Sequence, residues 1–190
     1  MPRVRLIPLL VLVAVTVLVA TAGGSPQPFS EVAVAAKKKP EPDKPERTDL
    51  ASSKDLWATI NLCDTTEEPD TIGIRGSMPG LGNRDSKLQM RFQVQYKARA
   101  TGDWTNAGAD ADSGWQTVGR TIRQVLESGQ NFTFAPPTDG GSHQLRGAVR
   151  YRWLRANKTR AFQRRFTEPG HASTAGADPE NYSAATCELS

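Results

Sequence analysis

The sequence predicts an all-β fold, a sandwich of about seven strands whose C-terminal tail is clasped back by a disulfide. Three observations carry that expectation. From Leu88 to Ala98 the apolar or small residues Leu88, Met90, Phe92, Val94, Tyr96 and Ala98 alternate without exception with Gln89, Arg91, Gln93, Gln95 and Lys97. A period of two marks a strand buried on one face. The run from Leu145 to Trp153 is built the same way, with Leu145, Val149, Tyr151 and Trp153 on one side and Arg146, Arg150 and Arg152 on the other. Elsewhere short apolar runs are punctuated by turn-forming residues, and no long stretch has a helical period, so a sheet must cover a sheet.

The first residues set the cellular address. Met1-Pro-Arg-Val-Arg leads into Leu6 to Ala20, an aliphatic block broken only by Pro8 and Thr16, and then into Ala20-Thr21-Ala22. A basic start, a short apolar core and a small-x-small exit predict a signal peptide over residues 1–22. Left uncut, the same block sits at the lower limit of what spans a bilayer and would anchor the chain, its one expected contact with a membrane. In both cases the remainder of the chain is exported, to the medium or the cell surface. Residues 23–54 read as a disordered linker, because Lys37-Lys38-Lys39-Pro40-Glu41-Pro42-Asp43-Lys44-Pro45-Glu46-Arg47 mixes charge and proline and offers nothing to bury. Residues 55–190 then form one domain, long enough for a single core and too short for two.

Export decides how the cysteines read. Cys63 and Cys187 are an even pair with no further cysteine or histidine close in sequence, and outside the cytoplasm such pairs form disulfides. The bond would staple the C-terminal tail onto the first strand. Free thiols holding a metal or acting as nucleophiles are the alternative.

Along the domain, the first strand is Trp57 to Cys63, with Ala58, Ile60 and Leu62 on one side and Cys63 in phase with Trp57. An acidic loop from Asp64 to Asp70 leads to a short strand, Thr71 to Gly76, ended by Met78-Pro79-Gly80. After the long strand comes a polar excursion, Thr101 to Gly114, and then a strand over Trp115 to Gly119. Thr121 to Glu127 fits helix or strand equally. Gln130 to Pro136 alternates Phe132 and Phe134 with Asn131 and Thr133 and is stopped by two prolines. The basic strand turns over Leu154 to Thr159 and returns as Arg160 to Thr167, Phe162, Arg164 and Phe166 facing one way, Ala161, Gln163 and Arg165 the other. Glu168 to Glu180 has no period and is expected to lie over the surface until Tyr182 to Cys187 docks.

The succession Phe92-x-Val94-x-Tyr96, Trp115-x-x-Val118 and Val149-x-Tyr151-x-Trp153 with its return strand resembles the middle and end of a fibronectin type III or related immunoglobulin-like domain. The resemblance implies an Ig-like β-sandwich in which the third strand, the sixth and the last share a sheet. It covers residues 88–167 and brings no site with it. Thr71 to Gly76 lacks the tryptophan usual in the second strand, and the cysteines stand too far apart for the B–F bond of an immunoglobulin domain. The whole chain is also similar to small uncharacterised exported proteins of high-GC bacteria, a likeness that implies no activity.

Chemistry is sparse. From Leu56 to Ser190 there are 16 Arg and Lys against 14 Asp and Glu, so distribution matters more than the sum, and from Arg146 to Arg165 there are eight basic residues and no acid. If the long strands and the return strand share a sheet, Arg91, Lys97, Arg146, Arg150, Arg152 and Arg165 stand out from it in neighbouring rows. Guanidinium groups take carboxylate and phosphate two-handed, so such a face suits an anionic cell-envelope polymer or an acidic protein. The plainer reading is that arginine keeps an antiparallel sheet soluble. Nucleic acid is not expected, because no aromatic residue interleaves the charges. Asp110-x-Asp112-x-Gly114 has oxygen spacing suited to calcium but lacks the distal glutamate of a calcium loop, so no metal or other cofactor is expected. The histidines, His143 and His171, stand in loops, and neither Gly-x-Ser-x-Gly nor His-Glu-x-x-His occurs. The reading is therefore a non-catalytic module, against an alternative in which Asp110, Asp112 and His143 assemble an envelope enzyme's site.

Overall fold

The structure, a computed structural model, describes residues 50–82, 86–120, 124–138, 140–172 and 174–190. The expected leader and the linker up to residue 49 lie outside the described residues. Leu50, from the end of that linker, is buried in the core.

The chain folds as a two-layered, all-β protein. Its strands are β1 (Trp57–Cys63), β2 (Thr71–Pro79), β3 (Ser86–Lys97), β4 (Trp104–Asn106), β5 (Gln116–Arg120), β6 (Val125–Thr133), β7 (His143–Arg155), β8 (Lys158–Phe166) and β9 (Cys187–Leu189). One sheet has the order β1-β2-β6. The other has β3 and β7 at its centre, with β4 and β5 both on the far side of β3 and β8 and β9 beyond β7. All these pairings are antiparallel.

Two three-residue strands, β4 and β9, raise the count to nine among the described residues. Both are too short for alternation to register. Of Thr121 to Glu127, residues 121–123 lie outside the described residues, and Val125 to Glu127 is strand, opening β6 opposite Pro79 to Ser77. β6 stops at Thr133, before Phe134, whose N–H is taken by the Asp70 carbonyl. The β7–β8 connection is tighter than its sequence suggests: Ala156 and Asn157, both at positive φ (49° and 58°), make a two-residue hairpin loop.

The inner faces of β3 and β7 supply the core. Leu88, Met90, Phe92 and Val94 pack with Leu145, Val149, Tyr151 and Trp153 against Ile60, Ile72, Ile74 and Met78 of the facing sheet. Tyr96 departs from its expected place, being 38% exposed at the strand end beyond the core. The two largest core side chains also bond across the layers. Trp153 Nε1 donates to the Pro79 carbonyl at 2.7 Å and Tyr151 Oη to the Trp57 carbonyl at 2.5 Å. Burial raises the Tyr151 phenol far above its ordinary pKa, so it remains a donor. Gly76 makes room for it, since a Cβ there would meet Tyr151 Oη at 2.7 Å.

A register shift between Ile60 and Leu62 reverses the phase of β1. Cys63 therefore pairs with Ile72 on the inner side and leaves the phase of Trp57, contrary to strict alternation. That turn of the chain brings it to Cys187, and the two form a disulfide. The bond does fasten the tail to the first strand. Because β9 pairs with β7, it also joins the two layers. The tail docks earlier than expected: Glu168 N–H donates to Ala58 O, Asp178 N–H to Asn61 O, and Ala184 exchanges bonds with Ile60, all along β1.

Candidate functional site: the arginine face of the larger sheet

The outward residues of β3, β7 and β8 meet in four rows, fixed by register. Gln95 faces Arg146; Gln93 faces Ala148 and then Phe166; Arg91 faces Arg150 and then Arg164; Gln89 faces Arg152 and then Phe162. Neighbouring strands lie about 4.8 Å apart, so these side chains are in mutual reach. Two long alternating strands thus place their cations side by side, as the alternation predicts.

The geometry then departs from a simple charged surface. Arg146 Nε donates to Gln95 Oε1 at 2.9 Å, and Gln95 Nε2 to Asn106 Oδ1 at 3.0 Å. Arg152 Nε donates to Gln89 Oε1 at 2.7 Å, and Gln89 Nε2 to Thr117 Oγ1 at 2.9 Å. Each relay runs from β7 through β3 to a short strand beyond it. Both guanidiniums also lie on aromatic rings: Arg146 Cζ is 4.4 Å from the Trp104 centroid and 3.9 Å from that of Phe166, and Arg152 Cζ is 4.0 Å from Trp115. Arg164 lies 4.8 Å over Phe166, and Phe162 meets Trp115 edge-on. Cation–π contact and a bonded Nε fix the plane of each guanidinium while its Nη groups have no protein partner among the described residues.

This corrects the expectation that no aromatic residue interleaves the charges. Trp104, Trp115, Phe162 and Phe166 all do. Half of them are visible in the alternation of the return strand, which sets Phe162 and Phe166 with Arg164. Trp104 and Trp115 come from the polar excursion and its end, and only the fold brings them alongside.

Arg165 is also corrected. It pairs with Val149, an inner position, and its guanidinium donates to the carbonyls of Leu56 and Ala51, holding the segment before β1. Arg164 takes its place on the outer face. Arg150 lies between Arg91 and Arg164 with no side-chain partner among the described residues, and Lys97 is exposed beside Trp104.

Among the described residues, Arg91 alone of the arginines on this face is neutralised. Its Nε and Nη2 donate to Asp112 Oδ1 and Oδ2 at 2.7 and 2.5 Å, and Asp112 also accepts from Gln93 Nε2 at 2.6 Å and from the Gly114 N–H at 2.9 Å. The Arg91 hydrogen bonds hold the Asp112 carboxyl below its ordinary pKa against the opposing effect of burial. A depressed carboxylate pKa contributes stability above its unfolded value, and the contribution is lost as pH falls through the folded one. Asp112→Asn should therefore flatten the loss of stability below about pH 4, read by urea titration at stepped pH. Asp112→Ala should cost about 2 kcal/mol at pH 7, since four N–H donors from three residues lose a charged acceptor.

Both Asp112 oxygens are thus engaged by the protein, which competes with their use as calcium ligands. Asp110 is exposed, and no group of three or more His, Cys, Asp or Glu gathers for a metal among the described residues. His143 opens β7 opposite Leu189, five residues along the strand from Ala148. Asp112 bridges Gln93, the partner of Ala148. The histidine and Asp112 therefore stand roughly 17 Å apart along the sheet. His171 stacks on Trp57 at 4.3 Å on the other sheet.

No model of a known protein family matches the chain, and no curated protein does.

Proposed function

We propose that the chain is an exported, immunoglobulin-like, non-catalytic binding module that holds an anionic cell-envelope polymer on the outer face of its larger sheet. The observation that carries this reading is the pair of ring-stacked, glutamine-braced guanidiniums, Arg146 and Arg152, flanking Arg150. A guanidinium with its plane fixed and its outer N–H groups unbonded is organised for two-point contact with phosphate or carboxylate before the ligand arrives. Repetition along one strand suits a ligand with repeated charge. Trp104, Trp115 and Phe166 are themselves covered by guanidiniums, a use that differs from offering them to bases.

The disulfide supports an oxidising compartment, and the leader read from residues 1–22 supports export. The order β1-β2-β6 against β3-β7-β8 supports the immunoglobulin-like assignment, which divides its strands between sheets in the same sense.

Titration of the full chain with long-chain polyphosphate should show saturable binding that weakens steeply as salt rises from about 0.05 to about 0.3 M, a range over which the screening length falls through roughly 8–10 Å. The double variant Arg146→Gln, Arg152→Gln should lose about tenfold or more, because two charge-assisted contacts are worth at least ~1.4 kcal/mol together. The corresponding lysine pair keeps the charge and should recover only part. Equal affinity of wild type and the glutamine variant would remove the proposal.

A further inference from the structure

A second cationic site lies at the hairpin end of the same sheet. A cavity of about 320 Å³ opens there, lined by Lys87, Arg120, Leu154, Arg155, Ala156 and Asn157. Among the described residues, three of the six that line it are cations and none is an acid. They come from three neighbouring strands, which the register brings together: Lys87 on β3 faces Arg120 on β5 on one side and Leu154 on β7 on the other, with Arg155 next along β7. The tight turn at Ala156 and Asn157 closes the end of the cavity.

Among the described residues, none of these three cationic side chains has a hydrogen bond, ion pair or ring contact. That separates this cluster from the arginine face, where Arg91 has its aspartate and Arg146 and Arg152 have their rings and glutamines. Like charges set directly opposite across a strand pair destabilise it, so the Lys87–Arg120 pair works against the sheet as it stands. A bound anion would reverse the sign of that contribution. The apolar wall supplied by Leu154 and Ala156 lowers the local dielectric on one side and strengthens attraction to an anion placed against it.

We infer that this cavity binds a tetrahedral oxyanion, a phosphate or sulfate group, with Lys87, Arg120 and Arg155 as its counter-charges and Asn157 as a neutral donor. A dianion with oxygens on several sides can engage three cations from three strands, which a carboxylate, singly charged and planar, does less completely. The volume stands at the lower end of small-molecule sites. It accommodates an ester of a sugar-sized alcohol as well as the free ion. The inference goes beyond the polymer reading and stands on separate residues, so either can fail alone.

The test uses the full chain at constant ionic strength, adjusted with chloride. Inorganic phosphate, inorganic sulfate, glucose 6-phosphate and acetate are titrated by calorimetry and by thermal melting. Phosphate and sulfate should bind saturably and raise the melting temperature, acetate should do neither, and Lys87→Gln with Arg120→Gln should weaken phosphate at least tenfold. The unliganded melting temperature of that variant should stay level or rise, because the opposed charges are gone, and this distinguishes a lost site from a damaged fold. Tighter binding of the ester identifies an end group as the natural ligand, equal binding the free ion, and both support the site. The Arg146→Gln, Arg152→Gln variant should bind phosphate like wild type while losing polyphosphate. Phosphate binding that is absent, matched by acetate, or unchanged in the Lys87, Arg120 variant overturns the inference.

Discussion

Replacing Cys63 and Cys187 together by alanine is expected to lower the stability of the domain by about 4–5 kcal/mol. The two residues are 124 apart in sequence, so the bond closes most of the domain into one loop. In the chain-entropy description a loop of that length removes about 5 kcal/mol worth of freedom from the unfolded chain. The native state loses little in exchange, since the tail retains its backbone bonds to β1 and β9 its pairing with β7. A domain of this size has only about 5–15 kcal/mol in total. The melting temperature should accordingly fall by about 15 °C, and wild type treated with reductant should match the double variant. A fall of under about 3 °C would mean that the unfolded chain is already compact enough for the bond to constrain nothing.

Trp153→Ala should cost about 4–5 kcal/mol, the upper part of the range for emptying a large core position. Trp153 is fully buried and fills the space between β3 and the end of β2, where its indole N–H satisfies the Pro79 carbonyl. Truncation leaves both a cavity and a carbonyl without its donor. Trp153→Phe keeps much of the volume and loses the donor, so it should cost clearly less, about 1–2 kcal/mol. Denaturant midpoints with an unchanged slope read the difference. Equal losses in the two variants would show that the hydrogen bond, rather than packing, dominates at this position.

The central strands are legible because burial on one face imprints a period of two, and β3 and β7 carry that imprint over most of their length. The same periodicity yields the outward positions of Arg91, Arg146, Arg150 and Arg152. It fails where a local irregularity breaks the phase. Cys63 sits on the inner side only because β1 shifts register after Ile60, and nothing in Trp57 to Cys63 announces the shift. Arg165 goes astray for a different reason. Its parity with Ala161 and Gln163 already places it inward, but an arginine at an inner position is unexpected until Leu56 and Ala51 are seen to offer it carbonyls. The aromatic partners of the arginines are illegible for a third reason. Trp104 and Trp115 are distant in sequence from Arg146 and Arg152, and contact between them is a property of strand order.

Asp112 shows the limit from the other side. An Asp-x-Asp-x-Gly spacing describes where oxygens fall along a loop and says nothing of what stands opposite. Here a guanidinium from β3 stands opposite, and the carboxylate becomes a brace for the sheet.

The backbone of β1 has a second use once its far side is considered. With the tail in place, Ala58, Ile60 and Asn61 have their carbonyls occupied by Glu168, Ala184 and Asp178. Were the tail peeled away, by reduction followed by proteolysis before Glu168, the strand would present a row of vacant acceptors and donors to any passing chain. The residues from Glu168 onward therefore cover an edge of β1 that would otherwise stand unpaired.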